Sequence, residues 1–368
     1  MIYGHCEEKY LPLKKIFENF FLNNREEGAS FSVYQDGKQL INLYGGYKNL
    51  KKEIWKEDTI VNVFSATKGI YELLICKLIE SHKLDITKPV YYYWEKFRES
   101  SKRTITLENI LCHESGIYRF QKGIDNKDLL DWDKIINFLE NQKPEHEPGS
   151  KTFYHSMTHG FLIGQVLKNI FKKSLSEILD FLIRKKFNLD FYIGVPDNKI
   201  GKIAYLKNKN LINPINEKEK EKEIKKINFL NSFEYQKSQI PSINGHSNSR
   251  SIAKIYDIFA NDIKLKKSIF IDEKIMNYCL EEKNKRIDEN LKMKIRWSRV
   301  GLILRGGWLF GKNRLSFGHN GWGGSMGFAD PIRGLGISYT TNYLNPTMGS
   351  DDRVLSLIKK FYEIDESL

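Results

Sequence analysis

Ser65 and Lys68 stand three residues apart in the segment NVFSATKGI, and Ile70, Leu73, Leu74, Lys77 and Leu78 continue a helical spacing beyond them. On a helix, positions i and i+3 share a face, so the lysine amine falls within hydrogen-bond reach of the serine hydroxyl. A serine at the start of a helix also gains from the positive end of the dipole. The apolar lead-in IVNVF draws the pair partly out of water, and desolvation lowers a lysine pKa toward the range where its amine accepts a proton. The chemistry is nucleophilic: a hydroxyl activated by a neighbouring amine attacks a carbonyl and holds the acyl group. S-x-x-K alone is a weak signal, because serine and lysine are both common at solvated helix starts.

Two further segments could complete such a site. Tyr154 lies in EPGSKTFYHSMTHGFLIG, where Pro148-Gly149 breaks the chain and a helix is expected from about His155 or Ser156. Beside a protonated Lys68 its phenol would be driven toward phenolate and could relay a proton, although one tyrosine among 19, taken by itself, is more often a packing residue. FGHNGWGGSMGFADP carries five glycines between Gly318 and Gly327, which allow close backbone approach and an amide N–H aimed at an oxyanion. A bulged strand edge is the alternative reading.

Three other patterns fall away. Gly323 to Gly327 matches G-x-S-x-G, but that nucleophile needs a later histidine and the last histidine, His319, precedes Ser325. Gly306 to Asn313 approaches a P-loop, with Asn313 where the magnesium-holding Ser or Thr should be. His155 and His159 are spaced as metal ligands on a helix, yet Ser156 occupies the place of a metalloprotease glutamate, and no cofactor or metal is expected. His113, in LCHESGI, reads as a hydrogen-bonded structural residue.

The elements that must position these residues follow from periodicity. Leu13, Ile16, Phe17 and Phe20 give a first amphipathic helix, and ASFSVYQDGKQLINLYGG alternates about Asp36-Gly37, a two-residue hairpin turn. Strands are expected at Arg314 to Gly318, Ser325 to Ala329 and Leu335 to Thr341, followed by a final helix with Ser350 as its N-cap and Val354, Leu357, Ile358 and Phe361 as its stripe. Between the ends, Ile70 to Glu80, Leu129 to Leu139, His159 to Phe171 and Ile252 to Ile263 are helical. Residues 207–237 read as a solvated loop or a charged helix. Strands at both ends and helices between them predict a discontinuous α/β domain, residues 1–68 with 296–368, around a mostly helical insertion at 69–295.

The 368 residues, 40% hydrophobic and 29% charged, exclude a disordered chain, and no apolar run reaches the ~18 to 20 residues of a membrane span. The acidic Glu7 and Glu8 oppose a signal peptide, so a cytoplasmic location is expected. Four dispersed cysteines read as reduced thiols. A net charge of +13 is spread along the chain and interleaved with glutamate, which argues against a nucleic-acid partner while leaving weak association with anionic membranes open.

In order and spacing, DTIVNVFSATKGI, ITLENILCHESGI, EPGSKTFYHSMTHGFLIG, PSINGHSNSRSIAKIYDIFAN and FGHNGWGGSMGFADPIRGLGISYTTN resemble the blocks of the serine β-lactamase and penicillin-binding-protein superfamily, specifically the class C β-lactamase-related esterases. The resemblance implies a β-lactamase/transpeptidase-like α/β (α+β) fold with a central antiparallel sheet built from both chain ends. It also implies Ser65 as the acylated nucleophile, Lys68 as its proton acceptor and Tyr154 as the proton shuttle. The amides of Ser65 and Trp322 would form the oxyanion hole, with His319, Asn320 and Gly321 on the substrate-binding strand where penicillin-recognising members carry Lys-Thr-Gly. Tyr154-His155-Ser156 departs from the family's Tyr-x-Asn. A neutral His319 in place of lysine weakens the case for a β-lactam carboxylate. The expected function is hydrolysis of small carboxylic esters; β-lactam or D-amino-acid peptide cleavage is the alternative, and a non-catalytic binding protein a further one.

Overall fold

The computed structural model describes residues 1–209, 216–266, 268–305, 309–345 and 351–366. Among them, one antiparallel sheet of nine strands organises the molecule: β1 (Ile2–Cys6), β2 (Gly28–Gln35), β3 (Lys38–Gly46), β4 (Glu282–Asn284), β5 (Trp297–Ser298), β6 (Ile303–Leu304), β7 (Phe317–Asn320), β8 (Met326–Asp330) and β9 (Leu335–Thr341). Their spatial order is β1-β3-β2-β9-β8-β7-β6-β5-β4. The chain ends meet at its centre, where β2 and β9 pair from Gln35 opposite Leu335 to Ala29 opposite Thr341. The expected hairpin forms, with Asp36 at φ 50° and Gly37 at φ 82°, the two positive values that a primed turn requires.

The helices used below are α1 (Leu11–Leu22), α2 (Ala66–Glu80), α3 (Thr158–Phe171), α4 (Glu217–Leu230), α5 (Ser249–Leu265) and α6 (Asp352–Glu366). Alternation along β9 divides the sheet's two faces. Leu335, Ile337 and Tyr339 join a core with Leu13, Phe17 and Phe20 of α1 and Val354, Leu357, Ile358 and Phe361 of α6. On the opposite face α5 lies directly on the sheet, because Gly336 presents no side chain; a Cβ there would come within 2.0 Å of the Ala253 carbonyl oxygen. A second core, beneath that face, gathers α2, α3 and α5.

Several boundaries differ from the sequence expectation. The helix after Tyr154 starts at Thr158 rather than His155 or Ser156. The His155 N–H is bonded to the His113 ring and the His155 ring contacts the Phe153 carbonyl, which engages residues 153–155 outside the helix. The strand expected from Arg314 begins at Phe317, since Asn313 turns the chain by accepting the Leu315 and Ser316 amides. Edge strand β4 comes from within the span expected to be mostly helical. The charged segment contains α4, capped by Asn216, whose side chain accepts the Glu219 amide. Residues 210–215 of that segment, Gly306 to Trp308 of the P-loop-like string and the expected cap Ser350 lie outside the described residues. All four cysteines are free thiols.

Candidate active site

The turn that carries Ser65 is built by a strained residue and a buried amide. Phe64 adopts φ 47°, in the left-handed region unfavourable to a side chain, immediately before Ser65. Its N–H donates to Asn62 Oδ1 at 2.7 Å, and Asn62 Nδ2 in turn donates to the Tyr235 hydroxyl at 2.8 Å. Ser65 occupies the N-cap position of α2, yet its hydroxyl makes no capping bond. That oxygen instead accepts from Lys68 Nζ at 3.3 Å.

Lys68 is fully buried, and two backbone carbonyls hold its amine, Ser156 O at 2.9 Å and Ser242 O at 3.1 Å. Burial pushes its pKa down to about 7, against the opposing pull of Glu72 one turn along α2. An amine poised near neutrality, in contact with a serine hydroxyl, has the geometry and the proton affinity to accept that hydroxyl's proton. Lys68 Nζ also lies 4.9 Å from the centre of the Tyr154 ring.

Tyr154 is half-buried, with its ring 4.7 Å from that of His113 and stacked near Trp297. His113 pins the segment on both sides of it: the His113 carbonyl accepts the Phe153 N–H at 3.0 Å, and His113 Nδ1 accepts the His155 N–H at 3.1 Å. Asn290 adds a bond to the Tyr154 carbonyl at 3.0 Å. Burial raises the phenol's pKa, and a hydrogen bond with Ser65 only partly offsets this. Tyr154 is therefore a neutral phenol, a proton donor, rather than the phenolate expected beside a charged lysine, because Lys68 has itself lost its charge preference.

The third segment reaches Ser65 through Gly321. A Cβ at this position would sit 2.1 Å from the Val63 carbonyl oxygen, so glycine alone lets the end of β7 approach the Ser65 turn. Among the described residues, neither the Ser65 nor the Trp322 amide meets an intramolecular acceptor. The two amides are available to an oxyanion. His319 is buried on β7 and burial pushes its pKa down to about 3, so it adds no positive charge to the strand. Asn320, Gly321 and Trp322 line the same cavity as Ser65 and Tyr154.

Several site residues carried no sequence signal. Leu291, Met293, Ile295 and Ile303 form an apolar wall of the roughly 200 Å³ cavity over Ser65. Short ribbons and irregular chain supply them, without a readable period. Arg305 closes that wall. Lys226 of α4 places Nζ 3.8 Å above the Trp322 ring, which brings the charged segment to the mouth of the site. The paired histidines considered for a metal do other work: His155 is bonded to the Ser115 hydroxyl at 2.6 Å, and His159 Nε2 lies 3.8 Å from Glu72. Among the described residues no group of three or more His, Cys, Asp or Glu side chains could hold a metal ion.

The family model described as Beta-lactamase matches residues 13–358. The chain belongs to that family. Like a family VIII carboxylesterase whose crystal structure covers 99% of this chain and 100% of its own at 29% identity and TM-score 0.89, this β-lactamase-family member is a serine hydrolase of the carboxylesterase/β-lactamase type. It is also similar to a penicillin-binding-protein homologue from Caulobacter crescentus, at 26% identity and TM-score 0.88 over 99% of this chain and 100% of that one. The esterase/beta-lactamase LipL of Mycobacterium tuberculosis is 23% identical over 95% of this chain and 85% of its own length. Among the described residues, no helix is long and apolar enough to cross a membrane.

Proposed function

We propose that this β-lactamase-family hydrolase cleaves small carboxylic esters through an acyl-enzyme on Ser65. Neutral Lys68 takes the hydroxyl proton as Oγ attacks the ester carbonyl, and the Ser65 and Trp322 amides receive the negative charge that develops on the carbonyl oxygen. Collapse of the tetrahedral intermediate expels the alcohol oxygen, which Tyr154 protonates, and Tyr154 is reprotonated from Lys68. In the second half-reaction a water gives a proton to the same pair, its oxygen attacks the acyl carbon, and Ser65 leaves with that proton. The observation that carries this reading is the contact of Lys68, buried and poised near neutrality, with a Ser65 hydroxyl free of its capping role. Buried, neutral His319 and an apolar wall favour an uncharged ester at the scissile end over a β-lactam carboxylate on β7.

Intact mass after fluorophosphonate treatment, with 4-nitrophenyl acetate and nitrocefin turnover, tests it. One adduct that Ser65→Ala abolishes, together with ester turnover, is the expected result. Nitrocefin turnover without ester turnover would select the β-lactamase reading, and no adduct with no turnover would select a binding protein on this fold.

A further inference from the structure

Adjoining the serine's cavity is a larger one of about 730 Å³, and the two share Ile295, Ile303 and Arg305. Its lining is strongly one-sided in charge. Among the described residues that line it, Lys285, Lys294, Arg296, Arg305, Lys312 and Arg314 face a single carboxylate, Glu282. That carboxylate pairs with Arg296 and lies 3.9 Å from Lys285, while Lys312 is drawn to Glu366 on α6. Among the described residues, Lys294, Arg305 and Arg314 meet no carboxylate.

Arg305 is the informative member. It follows β6, with its N–H bonded to the Ser316 carbonyl at 3.1 Å, and its side chain is half-buried at the junction of the two cavities. Burial lowers its pKa, and no carboxylate opposes that loss. A cation withdrawn from water without a counter-charge is unfavourable unless a ligand supplies one. The guanidinium fork suits a carboxylate or phosphate, which it can take in two parallel hydrogen bonds. Between Arg305 and Ser65 the wall is apolar, formed by Leu291, Met293, Ile295 and Ile303.

We propose that the substrate is an anionic ester. Its scissile carbonyl reaches Ser65, an apolar portion lies along that wall, and a phosphate or carboxylate on the acyl or alcohol part sits on Arg305, supported by Lys294 and Arg314. The scissile bond rests on the ester reading above, whereas the anion site rests on the basic cavity alone. The anion lies beside β6, not on the strand of His319.

Two matched pairs of chromogenic esters test the inference in both orientations. 4-Acetoxy-3-nitrobenzoate against its methyl ester places the charge in the alcohol part, and 4-nitrophenyl hydrogen glutarate against 4-nitrophenyl pentanoate places it in the acyl part. In the wild type, one pair is expected to favour the anion at least tenfold in kcat/KM, and Arg305→Gln lowers that ratio toward one. Arg314→Gln, at an exposed position, lowers it less and guards against a folding defect in the first variant. High salt compresses the ratio in the wild type. Calorimetry of inorganic tripolyphosphate with Ser65→Ala reads the site without turnover, and adding Arg305→Gln should weaken binding at least tenfold. Turnover of neutral and anionic esters alike, with no tripolyphosphate binding, overturns the inference and leaves the ester reading standing. Tripolyphosphate binding that depends on Arg305, without turnover of any ester, supports the anion site and overturns the ester reading.

Discussion

Lys68 makes the pH profile of acylation a direct readout of burial. Its pKa falls from 10.5 to about 7, a difference equivalent to roughly 5 kcal/mol against the ammonium form. With a midpoint near 7, about one-tenth of the enzyme carries the free amine at pH 6 and about nine-tenths at pH 8. For 4-nitrophenyl acetate, kcat/KM corrected for spontaneous hydrolysis should therefore climb about tenfold between those values and level off above pH 8. The neighbouring imidazoles do not compete for this signal, because burial holds His113, His159 and His319 below their ordinary pKa and so neutral across the range. Asp257 is also held near 7, but it lies under the β2–β3 turn, where it accepts the Gly37 amide. Glu72 supplies the internal control. Burial favours its uncharged form, and any charge it does carry raises the Lys68 pKa, so Glu72→Gln should leave the midpoint in place or move it down. A wild-type profile that keeps rising to pH 9 or beyond, or a midpoint that moves up in Glu72→Gln, would refute the base assignment.

Two further outcomes follow from the same geometry. Tyr154→Phe keeps the ring packed on His113 but removes the proton donor, and should lower kcat/KM on 4-nitrophenyl acetate by roughly 10² or more and slow deacylation in a pre-steady-state burst; equal turnover would overturn the assignment. Lys68→Met should stabilise the fold at pH 7 by roughly 2 kcal/mol, the ~5 kcal/mol burial penalty less about 1 kcal/mol for each of three hydrogen bonds. The unfolded chain binds the lysine proton up to about pH 10.5 and the folded chain only to about 7, so wild-type stability falls as pH drops through that interval. Urea denaturation should accordingly show the gain shrinking as pH rises from 7 toward 10, and a variant less stable than wild type by a constant amount would refute it.

What the sequence disclosed, it disclosed through local rules. The Asp36-Gly37 turn, the stripes of α1 and α6 and the alternation of β9 each depend on a few adjacent residues, and each appears as expected. The S-x-x-K spacing is local too, so the Ser65–Lys68 contact was legible. Features closed by distant chain were not. The carbonyls of Ser156 and Ser242 that hold Lys68, the His113 ring beneath Tyr154 and the Lys226 contact on Trp322 join residues far apart in sequence, with no period to announce them. The start of α3 slipped to Thr158 because hydrogen bonds from His113 outweighed local helical preference. Six scattered cations looked like compositional lysine and arginine until the fold set them around one cavity.

The reactivity of the serine is finally a property of where α2 lies. From Ala66 to Cys76 every residue of this helix is buried, so this stretch has no solvent face on which a charged side chain could rest. Lys68 and Glu72, one turn apart, enter the core together, and among the described residues neither oxygen of Glu72 finds a hydrogen-bond donor. Burial drives the carboxyl pKa up and the amine pKa down, which favours the uncharged form of both, while their mutual attraction acts in the other sense and limits each shift. An uncharged amine is what a serine needs beside it to become a nucleophile. The strained Phe64 and the uncapped Ser65 then keep the hydroxyl oriented toward that amine, at a helix start that gave up its own capping bond. On the proposed mechanism, a local sacrifice of stability and the activation of Ser65 are thus consequences of one placement, a helix buried from Ala66 to Cys76 with a lysine one turn inside it.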